Sequence, residues 1–277
     1  MTRRDFSAAL MGGATGIAST HGGIAVGVQT FSFRELPLAG AIAAMRDLGI
    51  GYAELSQRHV VPADRAAAKA WRTAAPLDEF RAIRKQFDDA GIVLYAYTYG
   101  LRDDFTDAEI EHGFKMAQAL GVNTLNTSAN VSTAPRIDRF ARQFGIYAGM
   151  HNHASMAPNE FSTPEDFRKA LHGASKYLHI NLDIGHFTAA GFDPVSFLEQ
   201  NAGRITTVHI KDRKRNRDGR QGENVPLGEG DTPVREVLRL MKKKRYRIPA
   251  MIEYEYKGAD PVTEVRRCFD YIKEVLG

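Results

Sequence analysis

From Gly23 onward the chain alternates short β-rich runs with longer amphipathic stretches, and the alternation occurs eight times. The β-rich runs lie near Ile24–Thr30, Tyr52–Ser56, Ile92–Thr98, Thr124–Thr127, Ile146–His151, His179–Asp183, Thr206–Lys211 and Ala250–Tyr254. Between them Ala, Leu, Phe and Ile recur at three- and four-residue spacing over Leu38–Leu48, Leu77–Ala90, Asp107–Leu120, Pro135–Phe144, Pro164–Leu171, Pro194–Asn201, Pro233–Lys243 and Pro261–Val275. Parallel strands need crossovers of this length, and eight of them predict a closed parallel barrel.

Punctuation supports the same units. Gly49, Gly91, Gly121 and Gly145 each stand between a helical stretch and a strand, where glycine ends a helix at least steric cost. Thr163-Pro164, Asp193-Pro194 and Thr232-Pro233 place a capping side chain before a first-turn proline. An open doubly wound sheet competes, but no G-x-G-x-x-G follows the first strand. The expected fold is α/β, a single-domain (β/α)8 TIM barrel over residues 23–277.

Composition narrows the class. The chain has 277 residues, 43% hydrophobic and 25% charged, with a formal charge of +4; this excludes disorder and collagen. Cys268 is the only cysteine, so no internal disulfide forms and any metal must rely on His, Asp and Glu. No apolar run reaches the roughly 20 residues of a membrane-spanning helix. Thr2-Arg3-Arg4-Asp5-Phe6 followed by Ser7-Ala8-Ala9-Leu10-Met11-Gly12-Gly13-Ala14 looks like a twin-arginine export signal. Residues 1–22 are therefore expected to be a signal outside the domain, and the protein periplasmic or otherwise exported. Read as a frayed basic tail, the same residues would leave it cytoplasmic.

Barrel chemistry is assembled at the C-terminal rim of the strands. Side chains alternate along a strand, and the last polar residues share one parity: Glu54 with Tyr52, His151 with Gly149, Asp183 with Asn181, His209 with Thr207, Glu253 with Met251. Their neighbours Ala53, Leu55, Met150, Leu182, Ile184, Val208, Ile210 and Ile252 are apolar and are expected to face the helices. One inward ring thus contains two imidazoles and three carboxylates. Converging charges are costly to desolvate, and one divalent cation compensates them together. Mixed N/O ligation without thiolates suits Mn²⁺, Zn²⁺, Co²⁺ or Mg²⁺ in a solvent-open site on His151, Asp183, His209 and Glu253. Singly, each has a duller reading as a salt-bridged rim group.

Leu182-Asp183-Ile184-Gly185-His186, Val208-His209-Ile210-Lys211-Asp212, Pro226-Leu227-Gly228-Glu229-Gly230 and Met251-Ile252-Glu253 resemble, in order and spacing, the xylose isomerase-like TIM-barrel family of sugar isomerases, epimerases and related lyases. The resemblance covers most of residues 24–277 and says little about substrate. It implies that Asp183, His209 and Glu253 are metal ligands, that His186 contacts a substrate oxygen, and that Arg215, six residues after His209, reaches the substrate. The family usually ends its fifth strand with a glutamate that binds metal and removes a proton, where this chain has Met150-His151-Asn152-His153. An imidazole can replace that ligand, but a pair of carboxylates acting from both faces of a sugar is broken. His153 matches a histidine often found two residues beyond and is a substrate-contact candidate, with a supporting rim role as the alternative.

The resulting expectation is a divalent-metal-dependent isomerase or epimerase. A metal bridging a carbonyl and an adjacent hydroxyl acidifies the α-hydrogen and stabilises an enediolate, Glu253 or His151 being the base and His186 a further catalytic group. If a β-substituent leaves instead, the same site gives a keto-glycoside lyase or dehydratase. A non-catalytic sugar-binding protein is the alternative of another class. The expected partner is a small carbohydrate. The basic loop Lys211–Arg220 suits a phosphate, carboxylate or acidic sugar, and Lys211 and Glu54 join the substrate-contact candidates. Cleavage of DNA at abasic sites is disfavoured, since related nucleases use more His and Glu ligands. Phe31, Phe33, Tyr97 and Tyr99 are either sugar-stacking or packing residues. The Gln57–Pro76 connection, with Trp71, is either a lid or homo-oligomer contact or a surface helix.

Overall fold

The computed structural model describes residues 16–17 and 19–277. The paired arginines Arg3 and Arg4 of the expected export signal lie outside them. Eight strands pair in parallel in chain order: β1 (Ile24–Gln29), β2 (Tyr52–Ser56), β3 (Val93–Thr98), β4 (Thr124–Thr127), β5 (Tyr147–His151), β6 (Leu178–Asp183), β7 (Ile205–Ile210) and β8 (Ala250–Ile252). Strand β8 closes on β1 through Ala250–Val26, Met251–Gly27 and Ile252–Val28, making the barrel. Ahead of β1, Thr20–His21 pairs antiparallel with Ile24 and Ala25, and buried Ser19 donates to the Val26 carbonyl and accepts from Gly51 N–H. Packed structure therefore begins a few residues before Gly23.

The outer layer comprises α1 (Leu38–Leu48), α2 (Arg65–Ala74), α3 (Leu77–Asp89), α4 (Asp107–Ala119), α5 (Ala134–Phe144), α6 (Pro164–Leu171), α7 (Ile184–Ala189), α8 (Pro194–Asn201), α9 (Val234–Lys244) and α10 (Pro261–Leu276). The glycines read as helix stops, Gly49, Gly91, Gly121 and Gly145, have φ of 74°, 70°, 65° and 67°. Thr163 and Asp166 form a reciprocal capping box at α6, and Asp193 caps α8. Thr232 does not cap α9: Pro233 is the capping residue without a side-chain bond, and Thr232 Oγ1 accepts from Arg213 N–H instead. Helix α2 fills the Gln57–Pro76 connection, with Trp71 laid against Phe80 and Tyr99.

The alternation read from the strands holds. Ala53, Leu55, Met150, Leu182, Ile184, Val208, Ile210 and Ile252 belong to the continuous apolar core. Gly27 and Gly149 leave room inside the barrel. A Cβ on Gly27 would lie 2.6 Å from Met251 Sδ, and one on Gly149 would lie 2.3 Å from Asn126 Oδ1 and 2.5 Å from Thr206 Oγ1. Above these layers sit the rim acids and imidazoles. Phe33, Tyr97 and Tyr99 are buried packing residues, Tyr97 stacked on Tyr99 among Trp71, Phe80 and Phe105. Phe31 lies beneath the Arg34 guanidinium. Strand β8 stops at Ile252 and not at Tyr254, because Tyr254 N–H turns to Ser32 Oγ.

Candidate active site

The site is built on a polar network inside the barrel. Thr207 Oγ1 lies 3.4 Å from Glu54 Oε2, which is acceptor-only when ionised, so the hydroxyl donates there. It accepts the side-chain N–H groups of Asn126 at 2.8 Å and Asn181 at 2.7 Å. This fixes the Asn181 amide, whose Oδ1 then accepts from His151 Nδ1–H at 2.7 Å. His151 is left with a free lone pair on Nε2, the arrangement a metal-binding imidazole requires. Burial, followed by the charge of His209, holds its pKa below the ordinary value, so the ring stays neutral.

Asp183 ends β6 and caps α7. Its Oδ1 accepts from His186 N–H at 2.7 Å, while the Asn152 side chain clamps its backbone on both sides, at 2.9 and 3.0 Å. The remaining oxygen, Oδ2, is buried and ion-paired with the Lys211 ammonium at 3.1 Å. Register places Asp183 beside His209, and β5 beside β6 brings His151 next to Asn181. One ligand atom each from His151, Asp183 and His209 lies within 4.8 Å of the others. His151 Nε2 and Asp183 Oδ2 could bind a divalent ion that displaces the Lys211 ammonium, and His209 would complete the donor set on releasing the proton it holds against Glu54 or Glu253.

His209 is held between two carboxylates, Nε2 at 3.0 Å from Glu54 and Nδ1 at 3.1 Å from Glu253. Burial alone would lower its pKa, but the two acids outweigh it and raise the value well above the usual range. Glu54 and Glu253 are both lowered despite burial, Glu54 by His209, and Glu253 by Lys211 and His209. Glu54 is wholly buried beneath the rim and also accepts from Thr98, so it supports His209 and does not reach the open site. Glu253 stands outside the three-residue cluster, with Oε2 shared between His209 and Lys211.

Lys211 is buried, 2.9 Å from Glu253 and 2.5 Å from Glu255. Desolvation disfavours its charge, but Asp183, Glu253 and Glu255 together raise its pKa. It therefore serves the carboxylates, not an open substrate position. His186 stands between two cations, Nδ1 at 2.5 Å from Arg213 Nη1 and Nε2 at 3.2 Å from Lys211 Nζ, with Nε2 also 3.8 Å from Asp183 Oδ2. His153 lies beside both His151 and His186, and burial lowers it to about 3. Together with Arg102, Glu160, His186, Arg213 and Gln221 it lines a cavity of about 360 Å³ at the rim.

Arg215, expected to reach the substrate, is exposed; its backbone N–H donates to Asp231. Arg213 takes the inner position. The reason is the intervening ribbon: Asp212–Arg213 pairs antiparallel with Asn224–Val225. The Asp212 carboxylate accepts N–H groups of Gly228, Gly230 and Thr232, so the Leu-Gly-Glu-Gly motif is a loop folded onto one buried acid. Sequence reading missed Asn152, Asn181 and Arg102, and gave Arg213 only as one member of the basic loop Lys211–Arg220. Of the missed residues Asn181 had a visible signal, its parity with Asp183 on a strand.

Comparison with known proteins agrees with this architecture. Inosose dehydratases from three strains of Mesomycoplasma hyopneumoniae are 22% identical over 157 residues, 51% of this chain and 52% of theirs. The match thus spans about half the length of those curated relatives. Among solved structures, a sugar phosphate isomerase/epimerase from Parabacteroides distasonis superposes with a TM-score of 0.66 at 17% identity, covering 93% of this chain and 98% of its own. The IOLI protein, solved with a zinc atom, gives 0.67 at 14% identity, covering 91% and 95%. These two show the fold alone. The sequence signal itself extends over residues 42–275, and the chain belongs to the xylose isomerase-like TIM barrel family.

Proposed function

We propose that this chain is a divalent-metal-dependent enzyme that removes the proton beside the carbonyl of a sugar or keto-sugar, giving isomerisation, epimerisation or elimination. The observation carrying this reading is the convergence of one ligand atom each from the buried residues His151, Asp183 and His209. A bound ion supplies a Lewis acid that polarises the carbonyl and acidifies the α-hydrogen. Glu253 is ionised next to the cluster and is the residue that takes the proton. His186 borders the same space and orients a substrate oxygen. His151, with Nδ1–H committed to Asn181, acts as a ligand and not as the base.

One feature favours elimination over epimerisation. Inverting a carbon needs a base on each face, yet Glu54 is spent on His209, Asp183 on its cap and the cluster, and Glu255 on Lys211. His151 occupies the strand end where a second carboxylate would act. A lyase or dehydratase needs one base, and Glu253, whose pairs with His209 and Lys211 both use Oε2, keeps Oε1 for that role.

The test is α-hydrogen exchange with deuterated water and product release by metal-loaded protein. Glu253→Gln is expected to lower both by about 10³-fold with metal retained, and Asp183→Asn to lose metal and turnover together. Undiminished metal-dependent turnover in both variants would defeat the proposal.

A further inference from the structure

Arg213 is 5% exposed, yet its guanidinium has no carboxylate within 4.0 Å among the described residues. Its partners are the His186 ring and the Gly222 carbonyl, which accepts from Nε and Nη2. Every other charged group close by is matched. Lys211 has Asp183, Glu253 and Glu255, and Arg102 holds Glu160 through both terminal nitrogens. Asp183 and Glu255 act on Arg213 only at longer range. A desolvated guanidinium without an anion is costly, and a bound anionic ligand would offset that cost.

Arg213 also lines the 360 Å³ cavity, beside His153 and His186. The wall thus offers one unmatched cation in a space of monosaccharide size, directly beside the histidines of the proposed active site. We infer that Arg213 is the specificity-determining anchor for an anionic substituent of the substrate, a carboxylate or a phosphate, so that the enzyme acts on an acidic sugar derivative and not a neutral one. This inference rests on the proposed function for the identity of the cavity as a substrate site.

Isothermal titration of the full chain with D-glucuronate, D-galacturonate, glucose 6-phosphate and D-glucose tests it. At low salt at least one anionic probe should bind about tenfold or more tightly than glucose, a preference that added NaCl weakens. Uronate preference identifies a carboxylate and glucose 6-phosphate preference a phosphate. Arg213→Gln should bring the ratio close to one, and Arg213→Lys should keep part of it. A purely structural Arg213 would lower stability without moving that ratio. Equal binding of all four probes by the unaltered protein, whatever the variants do, overturns the inference, as does a preference undiminished in a folded Arg213→Gln. Hydrogen exchange measured in parallel separates the two claims. Exchange on neutral sugars without anion preference removes only the role of Arg213, whereas anion preference without exchange on any probe removes only the proposed reaction.

Discussion

His151 illustrates how much of a site is decided by residues that touch neither substrate nor metal. Its tautomer follows from Asn181, whose amide is turned by Thr207, whose hydroxyl is turned by Glu54. Asn181→Leu removes the acceptor for Nδ1–H and leaves that proton buried. Metal affinity should fall 10- to 100-fold by titration while the circular dichroism spectrum is retained; unchanged affinity would show that the ring needs no such support. A different histidine contributes to acid sensitivity. His179, at the base of β6 against Tyr147, donates from Nε2 to the Lys176 carbonyl and keeps Nδ1 buried, and burial lowers its pKa to about 4. The unfolded chain takes up this proton below about pH 6.5, whereas the folded chain resists until near pH 4. Its contribution is therefore complete above pH 6.5 and lost as pH falls toward 4, by up to about 1 kcal/mol per pH unit. His179→Gln should flatten that part of the urea-midpoint profile; an identical slope would contradict the assignment.

At the scale of elements, most helix and strand bounds follow from periodicity because each helix buries one face and each strand both. Leu38–Leu48, Pro164–Leu171, Pro194–Asn201, Tyr52–Ser56 and Thr124–Thr127 stand where the pattern places them. Helix α7 was not legible, since six residues make less than two turns and show no period. What creates it is the Asp183 cap. The inward alternation of the rim residues was legible for the same reason that one face of each strand is apolar. The ordering of Arg213 inside and Arg215 outside was not, because it depends on the ribbon clamped by Asp212 through contacts 16 to 20 residues away. Gly149 is a point where the strand itself serves the site, its missing Cβ admitting Asn126 and Thr206. Gly149→Ala should destabilise the fold by about 1–3 kcal/mol in urea unfolding. A neutral effect would mean that the inner polar layer is loosely held.

For the molecule as a whole, the barrel brings β5, β6 and β7 to adjacent positions and so converts three distant strand ends into one donor cluster. No described helix is long and apolar enough to cross a membrane. The account stands on that cluster binding a divalent ion, and equilibrium titration of the full chain with Mn²⁺ and Zn²⁺, with ion content checked by elemental analysis, measures it directly. One ion per chain is predicted for the unaltered protein, with binding lost in Asp183→Asn and in His151→Ala. No ion in the unaltered protein, or undiminished binding in both variants, would contradict it.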